Sequence, residues 1–240
     1  MNDLKEAPAK AKGSRRAAVR RGRPPRELEG EVDGRILDAA RKVFLHRGFE
    51  GASMDEIAAA ARAGKPTIYA RLGDKRALFT AVVTRDVLSR IAQFNNEAPI
   101  EGTTEQRLAH AAITLLRWTL EDERMALMRL AVAEVQRFPE LASTVSRTAR
   151  QLSTEMAAHF LGEMAQSAEF GALPAFAPER LTDTARVFLD LVVLPMLLRG
   201  LFERDVETMQ AEIGSHVARS VPFFVAGCGL GGGARVGSSR

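Results

Sequence analysis

Apolar residues recur at three- and four-residue intervals along most of this chain, and the two-residue alternation of a half-buried strand is missing. Ile36, Leu37, Ala40, Val43 and Phe44 form one stripe and predict a first helix over about 33–47. Gly48 suits the residue just past a helix end, with Phe49 as its hydrophobic contact. Ser53 and Glu56, three apart, predict a capping box that opens a second helix. Pro66 fits only the first turn of a third helix, about 65–72, where its missing N–H has no intrahelical partner. Asp74 caps a fourth helix with Ala77, Leu78, Ala81, Val82, Leu88 and Ile91 on its buried side. Further helices are predicted from Thr103 or Thr104 to about 120, then over about 123–137, 139–168, 178–200 and 205–221, with breaks at Gly171, Pro174 and Pro178. The reading is all-α, with about nine helices.

The two ends of the chain are different in kind. Residues 1–30 are rich in Ala, Lys, Arg, Gly and Pro and lack the large apolar side chains a core needs, so they are expected to be a disordered basic arm. Residues 223–240 are expected to be a flexible tail. Between them we place a helix-turn-helix domain over 31–76, its helix-turn-helix at about 53–72, and a larger helical domain over 77–222. The formal net charge is only +4, yet it is unevenly spread: nine Lys/Arg oppose four Asp/Glu in residues 1–30, and eleven oppose eight in 31–92. In 93–240 acidic residues outnumber basic ones, eighteen to fourteen. Such polarity fits a polyanion at one end of the molecule only. The single cysteine, Cys228, forms no internal disulfide and suits a reducing cytoplasm. The longest apolar run, Val187 to Leu198, contains Asp190 and Pro195 and is too short to span a bilayer, so no membrane partner is expected.

Residues 53–75 carry the chemistry. Ile57, Ala61, Ala63 and Ile68 are spaced to pack the second and third helices together, which leaves Lys65, Thr67, Tyr69 and Arg71 to face outward. Charged and hydroxyl groups on one short helix are what contact with phosphates and base edges requires. The helix start at Asp74-Lys75 adds backbone N–H groups and a positive dipole end.

With Ile36-Leu-Asp-Ala-Ala-Arg-Lys-Val-Phe44, Gly48-Phe49, Glu56-Ile57-Ala58, Lys65-Pro-Thr-Ile-Tyr69 and Asp74-Lys75-Arg-Ala-Leu78, the chain resembles the N-terminal domain of the TetR family of bacterial transcriptional regulators over about 33–82. The stretch from Ala133 to Leu141 resembles a subset of that family. The resemblance implies an all-helical homodimer in which helices one to three bind double-stranded DNA. A helical C-terminal domain would dimerise and bind a small effector. Ser53, Lys65, Pro66, Thr67, Tyr69, Arg71 and Lys75 are then the DNA-binding candidates. Arg62 departs from the family's usual Gly at a turn residue with positive φ, Gly64 from its usual Ser or Thr, and Leu72 from its usual Phe.

In the arm, Arg21-Gly22-Arg23 followed by two prolines resembles an AT-hook core, a strand suited to a narrow minor groove; a solvated basic tail that adds only charge is the alternative. Trp118, Met125, Met128, Glu134, Phe138, His159, Phe160 and Phe188 are candidate effector contacts, each also readable as ordinary packing or surface. No catalytic triad, phosphate loop or metal-ligand spacing stands out, so neither an enzyme nor a cofactor is expected. The sequence therefore predicts a cytoplasmic, nucleoid-associated regulator. It would most simply be a repressor released from a palindromic operator by a small molecule, with the helices at about 178–200 and 205–221 forming the homodimer contact. The alternatives are a nonspecific architectural DNA-binding protein and a helical-bundle enzyme.

Overall fold

The computed structural model describes residues 26–96, 102–203 and 205–229. Eleven α-helical segments run in the order α1 (Arg26–Gly51), α2 (Met54–Ala61), α3 (Lys65–Leu72), α4 (Lys75–Asn96), α5 (Thr104–Thr119), α6 (Asp122–Ala133), α7 (Pro139–Met164), α8 (Ala168–Gly171), α9 (Leu181–Phe188), α10 (Leu194–Phe202) and α11 (Val206–Gly229). A π-helical turn, Leu189–Val193, joins α9 to α10 without a break. If these two count as one helix and the four-residue α8 is set aside, the described residues hold nine α-helices and no strand. No helix among them is long and apolar enough to cross a membrane.

Local signals fix most of the ends. Gly48 leaves the helical region with φ 74°, so the regular part of α1 stops there. Ser53 Oγ accepts the Glu56 N–H at 3.1 Å and caps α2. The capping box itself is incomplete, because the Glu56 carboxylate takes the Arg47 Nε–H at 3.1 Å. At α5 the box is complete: Thr103 caps Gln106, and the Gln106 side chain accepts the Thr103 N–H. Asp74 Oδ1 accepts from the Arg76 and Ala77 N–H groups, capping α4.

Two boundaries and one buried face differ from the sequence expectation. α1 begins at Arg26, inside the expected arm and seven residues before Asp33, whose carboxylate is held by Arg71 of α3. At the other end α11 runs through Pro222 to Gly229, so the tail cannot start at 223. Phe224 and Cys228 are buried in the C-terminal core, and that burial is what draws the last turns of α11 into the fold. On α4 the buried side is Leu78, Phe79 and Val82, whereas Leu88 is exposed; the stripe turns polar at Asp86 and Arg90, which pair with neighbouring helices.

Two cores result. The C-terminal one gathers α5 to α11 around Leu116, Met125, Met164, Phe170, Phe188 and Phe224. The N-terminal one contains Ile36, Phe44, Ile57, Ile68, Leu78 and Phe79, and it also takes in Leu127 and Ala131 of α6 and Leu141 and Val145 of α7. Phe44 and Phe49 stack within it and Phe79 meets both edge-on, at centroid distances of 5.1–5.9 Å. The helix-turn-helix region is thus completed by side chains from the second half of the chain. Beside this shared core lies a charged layer. Arg124 of α6 reaches Asp86 of α4 at 3.0 Å, Arg41 of α1 reaches Glu123 at 3.0 Å, and Arg90 pairs with Glu121. Burial lowers the Arg124 pKa, opposed by the Asp86 carboxylate.

Candidate nucleic-acid interface

The turn between α2 and α3 is set by Arg62, whose φ of 50° and ψ of 45° lie in the left-handed region. It is the one non-glycine residue with positive φ among the described residues. The Ala63 N–H returns to Ala58 O at 3.0 Å, and the Arg62 N–H to Ala59 O at 3.2 Å, so the last carbonyls of α2 are satisfied while the chain reverses. The side chain thus occupies the strained position that glycine usually fills. At Gly64 the backbone is extended and no side chain caps α3.

α3 keeps a single side chain, Ile68, fully buried, and that contact pins it against α1 and α2. Lys65, Pro66, Thr67, Tyr69 and Ala70 are exposed, and Tyr69 stands out at 51%. A short helix seated through Ile68 and its last turn, with the residues before that turn bare, has the shape of a probe. Gly73 ends it with φ 76°, and a Cβ there would come within 3.0 Å of the Ala77 Cβ. The chain can therefore turn straight into α4.

Not every candidate stands ready for a phosphate. Lys65 Nζ lies 2.8 Å from Asp55 Oδ1, and this hydrogen bond raises its pKa. Arg71 is not turned outward as the spacing predicts. Its Nε and Nη2 both donate to Asp33, which ties α3 to the start of α1. Lys75 Nζ donates to Glu50 O at 3.1 Å and Ala52 O at 3.0 Å and sits 4.9 Å above the Phe49 ring. Ser53 Oγ accepts the cap bond from the Glu56 N–H, and its own O–H stays a donor. Arg21, Gly22 and Arg23 lie outside the described residues.

A concavity nonetheless gathers Ser53, Asp55, Lys65, Tyr69, Asp74, Lys75 and Arg76 on one side of the domain, with Phe138 at its edge. A second, between α1 and α4, is lined by Asp38, Arg41, Arg85, Asp86 and Ser89. Neither lies in the C-terminal core.

Residues 36–82 match the model described as bacterial regulatory proteins of the tetR family. Residues 106–227, half of the chain, match the one described as the AefR-like transcriptional repressor C-terminal domain. The chain belongs to the TetR family. It is a helix-turn-helix transcriptional regulator, and α2 and α3 are its helix-turn-helix. It is 34% identical over 111 residues to the transcriptional activator FasR of Mycolicibacterium smegmatis, a match covering 46% of this chain and half of FasR. It is 29% identical over 158 residues to the regulator UidR of Escherichia coli, covering 65% of this chain and 76% of UidR. A TetR-family regulator from Mesorhizobium loti superposes with a TM-score of 0.65 at 25% identity, covering 82% of this chain and 96% of that one. The flavonoid-responsive regulator FrrA does so at 0.57 and 27% identity, covering 82% and 97%.

The effector candidates do not converge on one site. Met125 and Phe188 are buried in the C-terminal core, and Trp118, Met128 and Phe160 are half-buried. Phe138 belongs to the N-terminal core instead, edge-on to Phe49 at 5.4 Å. His159 is exposed on α7, 3.6 Å from Glu163. Glu134 keeps a buried carboxylate oxygen, Oε2, without a hydrogen-bond partner.

Sequence reasoning missed Arg76. It adjoins Lys75 and lines the same concavity, and the signal was present in the Asp74-Lys75-Arg76 run.

Proposed function

We propose that the protein is a homodimeric, effector-responsive repressor that binds a near-palindromic operator by placing one α3 in each of two successive major grooves. The observation that carries this reading is the exposure of Lys65, Pro66, Thr67 and Tyr69 on a helix whose buried anchor is Ile68. Lys65 and Pro66 approach base edges. Thr67, Tyr69, Lys75 and the cap at Ser53 set the register on phosphates, with Arg71 acting from behind through Asp33. Binding requires Lys65 and Lys75 to exchange Asp55 and backbone carbonyls for phosphate oxygens. The arm, through Arg21, Gly22 and Arg23, adds contacts in the flanking minor groove. The protein acts in the cytoplasm, on the nucleoid.

Dimerisation through the α9–α10 and α11 helices is supported by their exposed apolar side chains: Val187 at 59%, Leu198 at 47%, Phe202 at 86% and Phe223 at 73%. A run of this kind is what a self-complementary twofold contact needs. For the effector, the support is the apolar character of the C-terminal core and the flexible Met125, Met164 and Met196 within it. A compound that opens this core in preference to the DNA-competent form shifts the balance toward release. The likeness to a flavonoid-responsive regulator favours a flat, largely apolar effector.

Selection of bound fragments from genomic DNA, followed by footprinting, tests this. The expected result is a protected near-palindrome with half-site centres about one helical turn apart. Tyr69→Phe weakens binding on every sequence, and Lys75→Ala lowers the salt slope by about one. A protein that shows no sequence preference, or that binds unaltered with both substitutions, refutes the docking.

A further inference from the structure

The corner between α6 and α7 crosses to the DNA-facing side of the molecule. There Arg137 pairs with Glu50, whose carbonyl holds Lys75. The Phe138 ring packs edge-on against Phe49 on one side and lies 4.6 Å beneath the Arg76 guanidinium on the other. Arg76 is exposed on the first turn of α4, at the rim of the concavity that holds Ser53, Lys65, Tyr69 and Lys75. Two basic residues adjoin at this helix start, but they are differently placed. Lys75 is turned back onto carbonyls, whereas Arg76 rests on an aromatic face. A guanidinium stacked on a ring keeps its N–H groups at its edge, where they can fork onto a phosphate.

We propose that Arg76 is a further phosphate-contacting residue of this regulator and that Phe138, contributed by the C-terminal half of the chain, is the residue that positions it. The idea rests on the DNA-binding reading above and extends it. Part of the DNA-contacting surface is then built by the α6–α7 corner, so any shift of that corner changes operator affinity at the contact itself. It acts in addition to any change in the spacing of the two α3 helices.

The test uses the full chain, a selected operator duplex and fluorescence anisotropy across a salt series. Arg76→Ala is expected to weaken operator binding roughly tenfold near 0.1 M salt and to reduce the salt slope by about one. Phe138→Leu keeps bulk in the N-terminal core and removes the ring face; it is expected to weaken binding several-fold. The same change made on top of Arg76→Ala is expected to add nothing, because the group it positions is gone. Phe138→Trp, which restores a π face, should keep affinity near that of the parent. Thermal melts of each variant separate loss of fold from loss of contact. Unchanged affinity and slope in Arg76→Ala, with Lys75→Ala and Tyr69→Phe still impaired, reject the proposal and leave the DNA-binding reading intact. A Phe138→Leu loss that adds fully to that of Arg76→Ala rejects the positioning role. If the parent protein selects no DNA, the reading and the proposal fall together.

Discussion

The two cores of this protein are held by different means. The N-terminal core is organised on one contiguous cluster of three rings. It centres on Phe44, Phe49 and Phe79 and is closed by Leu127, Ala131, Leu141 and Val145 from helices far along the chain. The C-terminal core is rich in Met and Leu, and it too joins distant segments, with α5 packed against α11. The first four helices do not close their core by themselves: Leu127 and Ala131 of α6 and Leu141 and Val145 of α7 complete it. The reading head is therefore stabilised by the regulatory half, and the two halves communicate through packed side chains as well as through the chain connection at α4.

The largest expected effect tests that dependence. Leu127→Ala should cost about 2–5 kcal/mol, since a buried side chain is removed from a core that cannot easily collapse. Hydrogen exchange should then rise in α1 to α3 more than in α9 to α11. Equal loss in both regions would mean that the two cores unfold as one and the distinction is empty.

Next comes the charged layer between the halves. Asp86→Ala leaves Arg124 facing Arg41 and Arg90 without its nearest carboxylate. Both partners keep some exposure, 14% and 8% of their side chains, so we expect about 2–3 kcal/mol, below the range for a fully buried pair. Denaturant midpoints measure it. A change within a few tenths of a kcal/mol would show that this layer is only solvated decoration.

The turn between α2 and α3 gives a smaller effect of opposite sign. Arg62→Gly should stabilise by about 1 kcal/mol by relieving the left-handed backbone. Gly64→Ser should add a few tenths by capping α3, and the nearest atom to a Cβ there, Thr67 Oγ1, is 3.6 Å away. Loss of stability in both variants would mean that the turn is held by contacts the backbone angles do not reveal.

Smallest at neutral pH is the contribution of Cys228. Burial pushes its thiol from 9.0 up to about 11. The folded state thus holds this proton more tightly than the unfolded chain. Its stabilising share is fully present below pH 9 and is lost as pH rises toward 11. Iodoacetamide at pH 8 should label the native protein far more slowly than the denatured one. Equal rates would place the end of α11 outside the core.

The N-terminal region was legible from sequence almost residue by residue, because its elements end on local chemistry. Gly48, Ser53, Pro66 and Asp74 each mark an end that the structure keeps, and Arg62 falls at the predicted positive φ. What escaped depends on distant partners. Arg71 was expected to face outward from its place on α3, but Asp33 lies 38 positions earlier and no spacing rule pairs them. Phe138 was grouped with possible effector contacts because its hydrophobicity is generic; only the tertiary arrangement brings it to Phe49 and Arg76. The C-terminal half yielded helices but not the site of an effector, since an apolar stripe of period 3.6 looks the same whether it packs or binds.

The π-turn at Leu189–Val193 has a mechanical consequence. Pro195 cannot donate to the carbonyl four residues back, and the Leu194 N–H returns to Leu189 O, one residue farther than in an α-helix. His216 of α11 clasps the neighbouring Val192 carbonyl at 2.8 Å. The additional residue rotates everything after it by about 100° relative to an uninterrupted helix. Phe188 can thus stay inside while Leu198 and Phe202 look out. Excising one residue from this stretch would straighten the rod and force a choice between keeping Phe188 in the interior and keeping Leu198 and Phe202 on the outside.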